Sequence, residues 1–305
     1  MKHSIDRILT THAGSLPRPP ALLDLVKSGD GAALEQGGNA QSLRTAVSEI
    51  VRRQATLGID VIDDGEYGKP SFVSYINERL GGYEVDTRAG PRNQWLSSRE
   101  GLSFPEFYAQ THPASTHTHM ICTGPVTYKG HAQLKRDIDN LKAALKGVEI
   151  EEVFLPAISP SNIEDWQKNA YYKSQEEYVF AIAEAMREEY QAIVDAGFLV
   201  QIDDPRLVTY YIIHPEASIE DCRKWAELRI APSIMLCATS RRRKSVFIPV
   251  TASIWVRGFT TWSSKTLSIS SSKSAPALIR SKPQTHGMNT NGRCGRTSSC
   301  RTAKS

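Results

Sequence analysis

The residues of this chain best suited to chemistry sit in short polar turns, and most of them carry carboxylates. Thr11-His-Ala-Gly-Ser15-Leu-Pro places His12 near the hydroxyl of Ser15. Asp63-Asp-Gly-Glu66-Tyr-Gly offers Asp64 and Glu66, and Gln201-Ile-Asp203-Asp204-Pro205 offers Asp203. Thr123-Gly-Pro-Val-Thr127 and Pro156-Ala-Ile-Ser-Pro160 add hydroxyl-bearing turns. Convergent carboxylates hold a substrate ammonium group or orient a metal ligand. Singly, each has an equally good structural reading. Asp64-Gly65 is a common turn signal, and an acidic residue at a strand end caps a following helix. Their recurrence on successive turns favours a site.

Other reactive residues make weaker patterns. His112, His117 and His119 lie in a polar stretch without a carboxylate at ligand spacing, which disfavours a metal site. Cys122, Cys222, Cys237, Cys294 and Cys300 are scattered and form no CxxC pair, so neither a disulfide framework nor a zinc knuckle is indicated. Arg241-Arg-Arg-Lys244 is a single basic run and a weak phosphate signal.

The turns need elements to position them. Arg7–Thr11, Ile59–Asp63, Met120–Thr123, Glu152–Leu155 and Phe198–Ile202 are short apolar runs that read as buried parallel strands. Helices are predicted between them at Ala40–Leu57, Leu134–Leu145, Ser174–Ala196 and Ser218–Leu228. Gly58 and Gly197 close two of these, and Ser218-Ile-Glu-Asp221 opens the last like a capping box. The stretch from Tyr83 to His119 reads as an irregular excursion. Five βα units by residue 229 predict an α/β fold with a parallel sheet. Its turns would meet on one face, as in a (β/α)8 TIM barrel of about 250 residues.

Composition divides the chain. The whole carries 37 Lys/Arg and 33 Asp/Glu, a net charge of +4. Residues 231–305 hold 13 Lys/Arg, 15 Ser and no acidic residue. That leaves 24 Lys/Arg and 33 Asp/Glu in residues 1–230, a net charge of −9. The body is enzyme-like and acidic; the tail is basic and Ser/Arg-rich. A nucleic-acid-binding arm has that charge, but Trp255, Trp262, Phe247 and Phe259 are unlike a solvated tail. No apolar run suggests a membrane span or a signal peptide, so a cytoplasmic protein is expected.

The motifs carry a resemblance. HAGSLPRP (12–19), GIDVIDDGEYGKPSF (58–72), GPVTY (124–128) and QIDDP (201–205) resemble the C-terminal catalytic barrel of cobalamin-independent methionine synthases, and its single-barrel relatives most, over about residues 7–229. The resemblance implies a zinc ion at the barrel mouth that binds homocysteine as thiolate, which then attacks the methyl group of a methyl-folate. It implies that Ser15 contacts the carboxylate of the amino-acid substrate and that Glu66 and Asp203 hold its ammonium group. The role of His12 stays open. The resemblance places a folate-stacking aromatic after GPVT, where Tyr128 and Lys129 stand here. Epoxyalkane:coenzyme M transferases share this barrel, so another thiol acceptor is an alternative.

The family's zinc ligands come late: a His-x-Cys, a Glu and a Cys on the last three strands. Residues 231–305 carry none of these motifs. Codons allowed for Val246–Thr251, read one base out of register, give Arg-Phe-His-Thr-Cys-Tyr. Those for Ala231–Lys244 give a family-like helix and loop, and those for Ile279–Gly292 supply a Glu. The expectation is a partial barrel over 1–230 and a frameshifted tail over 231–305. Such a truncated chain would bind little zinc and transfer no methyl group. A non-enzymatic fragment with a basic tail is the third reading.

Overall fold

The computed structural model describes residues 2, 4–27, 34, 37–88, 94–111, 118–239 and 245–248. Two sheets organise them. The first is four-stranded and wholly parallel, in the order β1 (Val61–Ile62), β4 (Glu152–Ile158), β6 (Leu199–Asp203), β7 (Ser245–Ile248). The second contains β2 (Leu80–Val85), β3 (Met120–Tyr128) and β5 (Lys168–Asn169). The fold is α/β with parallel strands, and the described strands do not close into a barrel.

Helices cover the sheets because their apolar residues recur at helical spacing. In α2 (Gly37–Thr56), Leu43, Ala46, Val47 and Val51 are buried. This helix lies against α6 (His131–Ala144), which buries Leu134, Ile138 and Leu141. α8 (Gln175–Asp195) buries Tyr178, Ile182, Met186, Tyr190 and Ile193 and packs on β3, β4 and β6. Ser174 caps its first turn by accepting from the Glu177 N–H, and Gly197, at φ 97°, follows its end. α10 (Ile219–Thr239) opens with the expected reciprocal cap: the Asp221 N–H donates to Ser218 Oγ, and the Ser218 N–H to Asp221 Oδ2. It extends past the expected end at Leu228 and contains Pro232. Among the described residues no helix is long and apolar enough to cross a membrane.

Three expectations are corrected. Arg7–Thr11 forms no strand. Thr10 O accepts from the N–H groups of Asp60 and Val61, which ties the segment to the β1 edge, but the Thr10 N–H and the Arg7 side chain both donate to the Asp60 carboxylate in place of a ladder partner. Met120–Thr123 is part of a longer strand outside the four-stranded sheet: it pairs parallel with β5, as expected, through Ile121 and Cys122, and also antiparallel with β2. Its burial alternates, unlike the fully buried β6. The backbones meet closely at Gly82, φ 88°, where a Cβ would lie 2.4 Å from Pro125 O. The excursion is not structureless either. Beyond β2 it forms α4 (Arg99–Ser103) and α5 (Pro105–Thr111). Arg99 anchors it by donating to Tyr211 O at 2.9 Å and Ala217 O at 2.7 Å. Both carbonyls belong to the segment around α9 (Arg206–Ile213). His112, His117, Arg241–Lys244 and nearly all of the tail beyond Thr239 lie outside the described residues.

Candidate functional site

Two turns clasp at the carboxyl end of β1. The Leu16 N–H donates to Gly65 O, and the Tyr67 hydroxyl donates to Pro17 O at 2.6 Å. Arg18 Nη2 donates to Glu66 O at 2.6 Å and to Lys69 O at 2.8 Å. Within the second turn, Asp63 Oδ1 accepts from the Gly65 N–H at 2.8 Å, and Asp64 Oδ1 accepts from the Glu66 N–H at 2.9 Å. These interlocked Asx-type bonds bend the chain so sharply that Glu66 adopts φ 57°. Among the described non-glycine residues only Glu66 does so. A left-handed Glu costs about 1–2 kcal/mol, a strain that persists where the surroundings over-determine it.

That strained turn brings Glu66 to the other two turns. The Ser15 hydroxyl donates to Glu66 Oε2. Lys69 Nζ lies 3.4 Å from Glu66 Oε1 and donates to Pro156 O, in β4, at 2.5 Å. Gln201, in β6, donates to Ala13 O and, at 2.9 Å, to Asp203 Oδ1. Burial, and after it the neighbouring Glu66 charge, pushes Asp203 up to about 7. Ser15 and Glu66, far apart in sequence, thus touch, and Gln201 ties the Asp203 carboxyl to the Ala13 carbonyl of the same first turn.

The other predicted residues are placed differently. Asp64 is buried beneath the turn, and its carboxyl shapes the backbone under Glu66; burial pushes it up to about 6. His12 turns to Gln54, Asp63 and the Phe154 ring. Gln54 Nε2 donates to Ile50 O and Asp63 O, while its Oε1 accepts from the Asp63 N–H. Its amide is therefore held one way round, and His12 donates to Oε1 through Nε2 at 2.7 Å. Tyr128, at the position where a stacking aromatic was expected, is buried and donates to Glu189 Oε2 at 2.8 Å. Its ring belongs to the core.

Sequence reasoning missed Lys69, Gln201 and Gln54. Lys69 and Gln201 lie inside the quoted motifs, and a lysine one turn after a glutamate was the available signal. Gln54 sits on the buried stripe of α2, a polar residue at an apolar position.

The donor set suits an ammonium group better than zinc. Glu66, Asp203 and Ser15 offer only oxygen, and a lysine ammonium already sits against Glu66; zinc favours thiolate and imidazole ligands. Cys122, in β3, and Cys222, in α10, are buried on separate elements, and burial raises both thiols. Among the described residues no group of three or more His, Cys, Asp or Glu has a metal-site arrangement.

The profile of the cobalamin-independent synthase catalytic domain matches residues 8–234. The methionine synthase of Sulfolobus acidocaldarius is 26% identical over 212 residues, covering 68% of this chain and 55% of that protein. That of Saccharolobus islandicus strain L.S.2.15 is 26% identical over 201 residues, covering 66% and 53%. The chain spans about half the length of these relatives. The B12-independent methionine synthase from Shewanella sp. W3-18-1, in complex with selenomethionine, superposes with a TM-score of 0.55 at 18% identity, covering 78% of this chain and 60% of that one. A putative vitamin-B12-independent methionine synthase from Listeria monocytogenes gives 0.52 at 17%, covering 79% and 65%. At these identities the structural likeness speaks for the fold.

Proposed function

This chain belongs to the cobalamin-independent synthase catalytic-domain family, and from that premise we propose that it carries the amino-acid-binding half of a methionine-synthase-type methyltransferase site. The observation that carries the reading is the strained Glu66, which accepts from the Ser15 hydroxyl and lies close enough to Asp203 for its charge to act there. In this reading Glu66 and Asp203 bind the ammonium group of homocysteine, and Ser15 meets its carboxylate. The selenomethionine in the Shewanella structure supports a ligand of that class.

The acidic pair also separates two acceptors. An amino thiol brings the cation that two carboxylates need. Coenzyme M brings a sulfonate and no cation, and the same carboxylates repel it.

Methyl transfer from a methyl-folate further needs an activated thiolate, which the family's zinc supplies when bound. The described residues do not fit zinc. We attribute the mismatch to a one-base slip near Ile230–Ala231. The register of β7 supports this. It runs parallel to β6, with Asp203 opposite Ile248. The histidine of the alternative-frame His-x-Cys falls on Ile248, opposite Asp203.

The test uses two proteins: the chain as written and the gene with its frame restored. Calorimetry with methionine should show binding to both, abolished by Glu66→Ala. Homocysteine methylation from methyl-folate should appear in the restored protein alone. Clean in-frame resequencing of the junction would sink the slip, and methionine binding indifferent to Glu66 would sink the amino-acid reading. Turnover of coenzyme M with an epoxide by the restored protein would favour the alternative acceptor. Retention on RNA that vanishes on removing residues 231–305 would favour the fragment reading.

A further inference from the structure

β6 carries two polar residues on one buried face. Gln201 and Asp203 are two apart in a strand, so their side chains point the same way. Gln201 is 2% exposed and Asp203 6%. The strand is central: Asp203 lies opposite Ile158 of β4 and Ile248 of β7, which fixes its backbone from both sides. The first turn, by contrast, follows a segment that forms no strand. Gln201 Nε2 reaches that turn from β6 by donating to Ala13 O.

That bond decides how the Gln201 amide is oriented. A backbone carbonyl can only accept, so the nitrogen end faces Ala13. The same nitrogen stands 2.9 Å from Asp203 Oδ1, which must accept the second N–H. An oxygen held as an acceptor is a poor place for a proton, so the proton of a neutral Asp203 sits on Oδ2. Other charges act on this carboxyl as well: Glu66 and Asp204 push it up, and Lys69 pulls it down. The strand neighbours Ile158 and Ile248 carry no charge. Glu189 of α8, the helix packed on β6, is committed to Arg79, Tyr75 and Tyr128.

We propose that Gln201 is a positioning residue of this site: it confines the exchangeable proton of Asp203 to Oδ2, favours the ionised carboxylate and ties that carboxyl to the turn bearing Ser15. A donor to a carboxylate stabilises its charged form, so the first bond sets the protonation of Asp203 while the second sets its place beside the turn. Gln201 acts through Asp203 in this role. The consequence for binding a ligand ammonium rests on the amino-acid reading above; the placement of the proton does not.

The test follows the Asp203 carboxyl against pH by 13C NMR of the full chain labelled at aspartate. The signal missing from Asp203→Asn assigns it. Gln201→Leu should raise the Asp203 midpoint by about one pH unit, the scale of one donor to a carboxylate. Circular dichroism checks the fold. Should Gln201→Leu unfold, the side-chain amide 15N signals of Gln201 in the unaltered chain take its place, and they should shift with the Asp203 midpoint. A folded Gln201→Leu with an unmoved or lowered midpoint overturns the proposal, as do amide signals indifferent to Asp203. Methionine affinity, measured against pH by calorimetry, should follow the same midpoint and move with it in Gln201→Leu; a binding profile that stays in place also overturns the proposal. A chain whose Asp203 shifts as expected yet never binds methionine leaves the proposal standing and removes the amino-acid reading instead.

Discussion

Replacing Asp203 by Asn should stabilise this protein above neutral pH. Burial and the Glu66 charge raise the Asp203 carboxyl from the ordinary 3.8 to about 7. The folded chain therefore holds that proton more tightly than the unfolded chain. Between pH 4 and 7 the native state binds more protons, so stability falls as pH rises through that window. At about 1.4 kcal/mol per pH unit the full cost of the ionised group is ~4 kcal/mol. Water entry and relaxation of Gln201 reduce it, and about 2 kcal/mol is the working figure. Asp64 and Asp204, both pushed up to about 6 by burial, act with the same sign but finish titrating earlier. Burial raises the Asp63 carboxyl too, so it is the difference between the unaltered chain and Asp203→Asn, in urea unfolding at pH 6, 7 and 8, that isolates Asp203. The unaltered chain should lose ~1–2 kcal/mol across that range, and Asp203→Asn should lose distinctly less. At pH 8 the variant should be the more stable by about 2 kcal/mol while losing methionine binding, the usual trade between a strained site and a stable fold. Parallel pH profiles for the two proteins, or a less stable variant at pH 8, would refute the reasoning.

Three other outcomes follow from particular contacts. Arg79 bridges Asp137 at 2.5 Å and Glu189 at 3.1 Å in the core, so Arg79→Met strands two buried carboxylates and should cost about 3–5 kcal/mol in urea unfolding. Gly82→Ala should cost more than about 1 kcal/mol, because it combines a left-handed φ of 88° with a Cβ 2.4 Å from Pro125 O; the same melts, with near-ultraviolet dichroism of Tyr83, report it. Zinc analysis after dialysis should find well under one ion per chain as written and one per chain after frame restoration; stoichiometric zinc on the unaltered chain would contradict the proposed loss of ligands.

Much of the architecture is legible in local pattern. The buried stripes of α2, α6 and α8 follow from apolar spacing, the ends of α2 and α8 from Gly58 and Gly197, and the start of α10 from the Ser218 cap. A fully buried strand such as β6 reads as an unbroken apolar run. β3 does not yield to that rule. Its apolar start looks like a buried parallel strand, but its place depends on Gly81 and Gly82 of a distant segment, which let β2 come close on the other side. The edge segment Arg7–Thr11 fails for a related reason: the Asp60 carboxylate, brought in from another segment, takes the Thr10 N–H that a ladder would need.

The site divides along the same line. The residue types and the turns that bear them are written in the chain: Ser15 after His12-Ala-Gly, Glu66 after Asp64-Gly65, Asp203 before Asp204-Pro205. Their abrupt replacement by an acid-free tail is equally a matter of sequence. Only the tertiary structure decides which carboxylates face one another. It turns Glu66 toward Ser15 through a left-handed backbone, lays Asp64 beneath it and swings His12 to Gln54. It also sets Lys69 among the acids. Charge and dielectric act through space, over a few ångströms, so a carboxyl near 7 and a buried ammonium arise only where folding brings separate turns together.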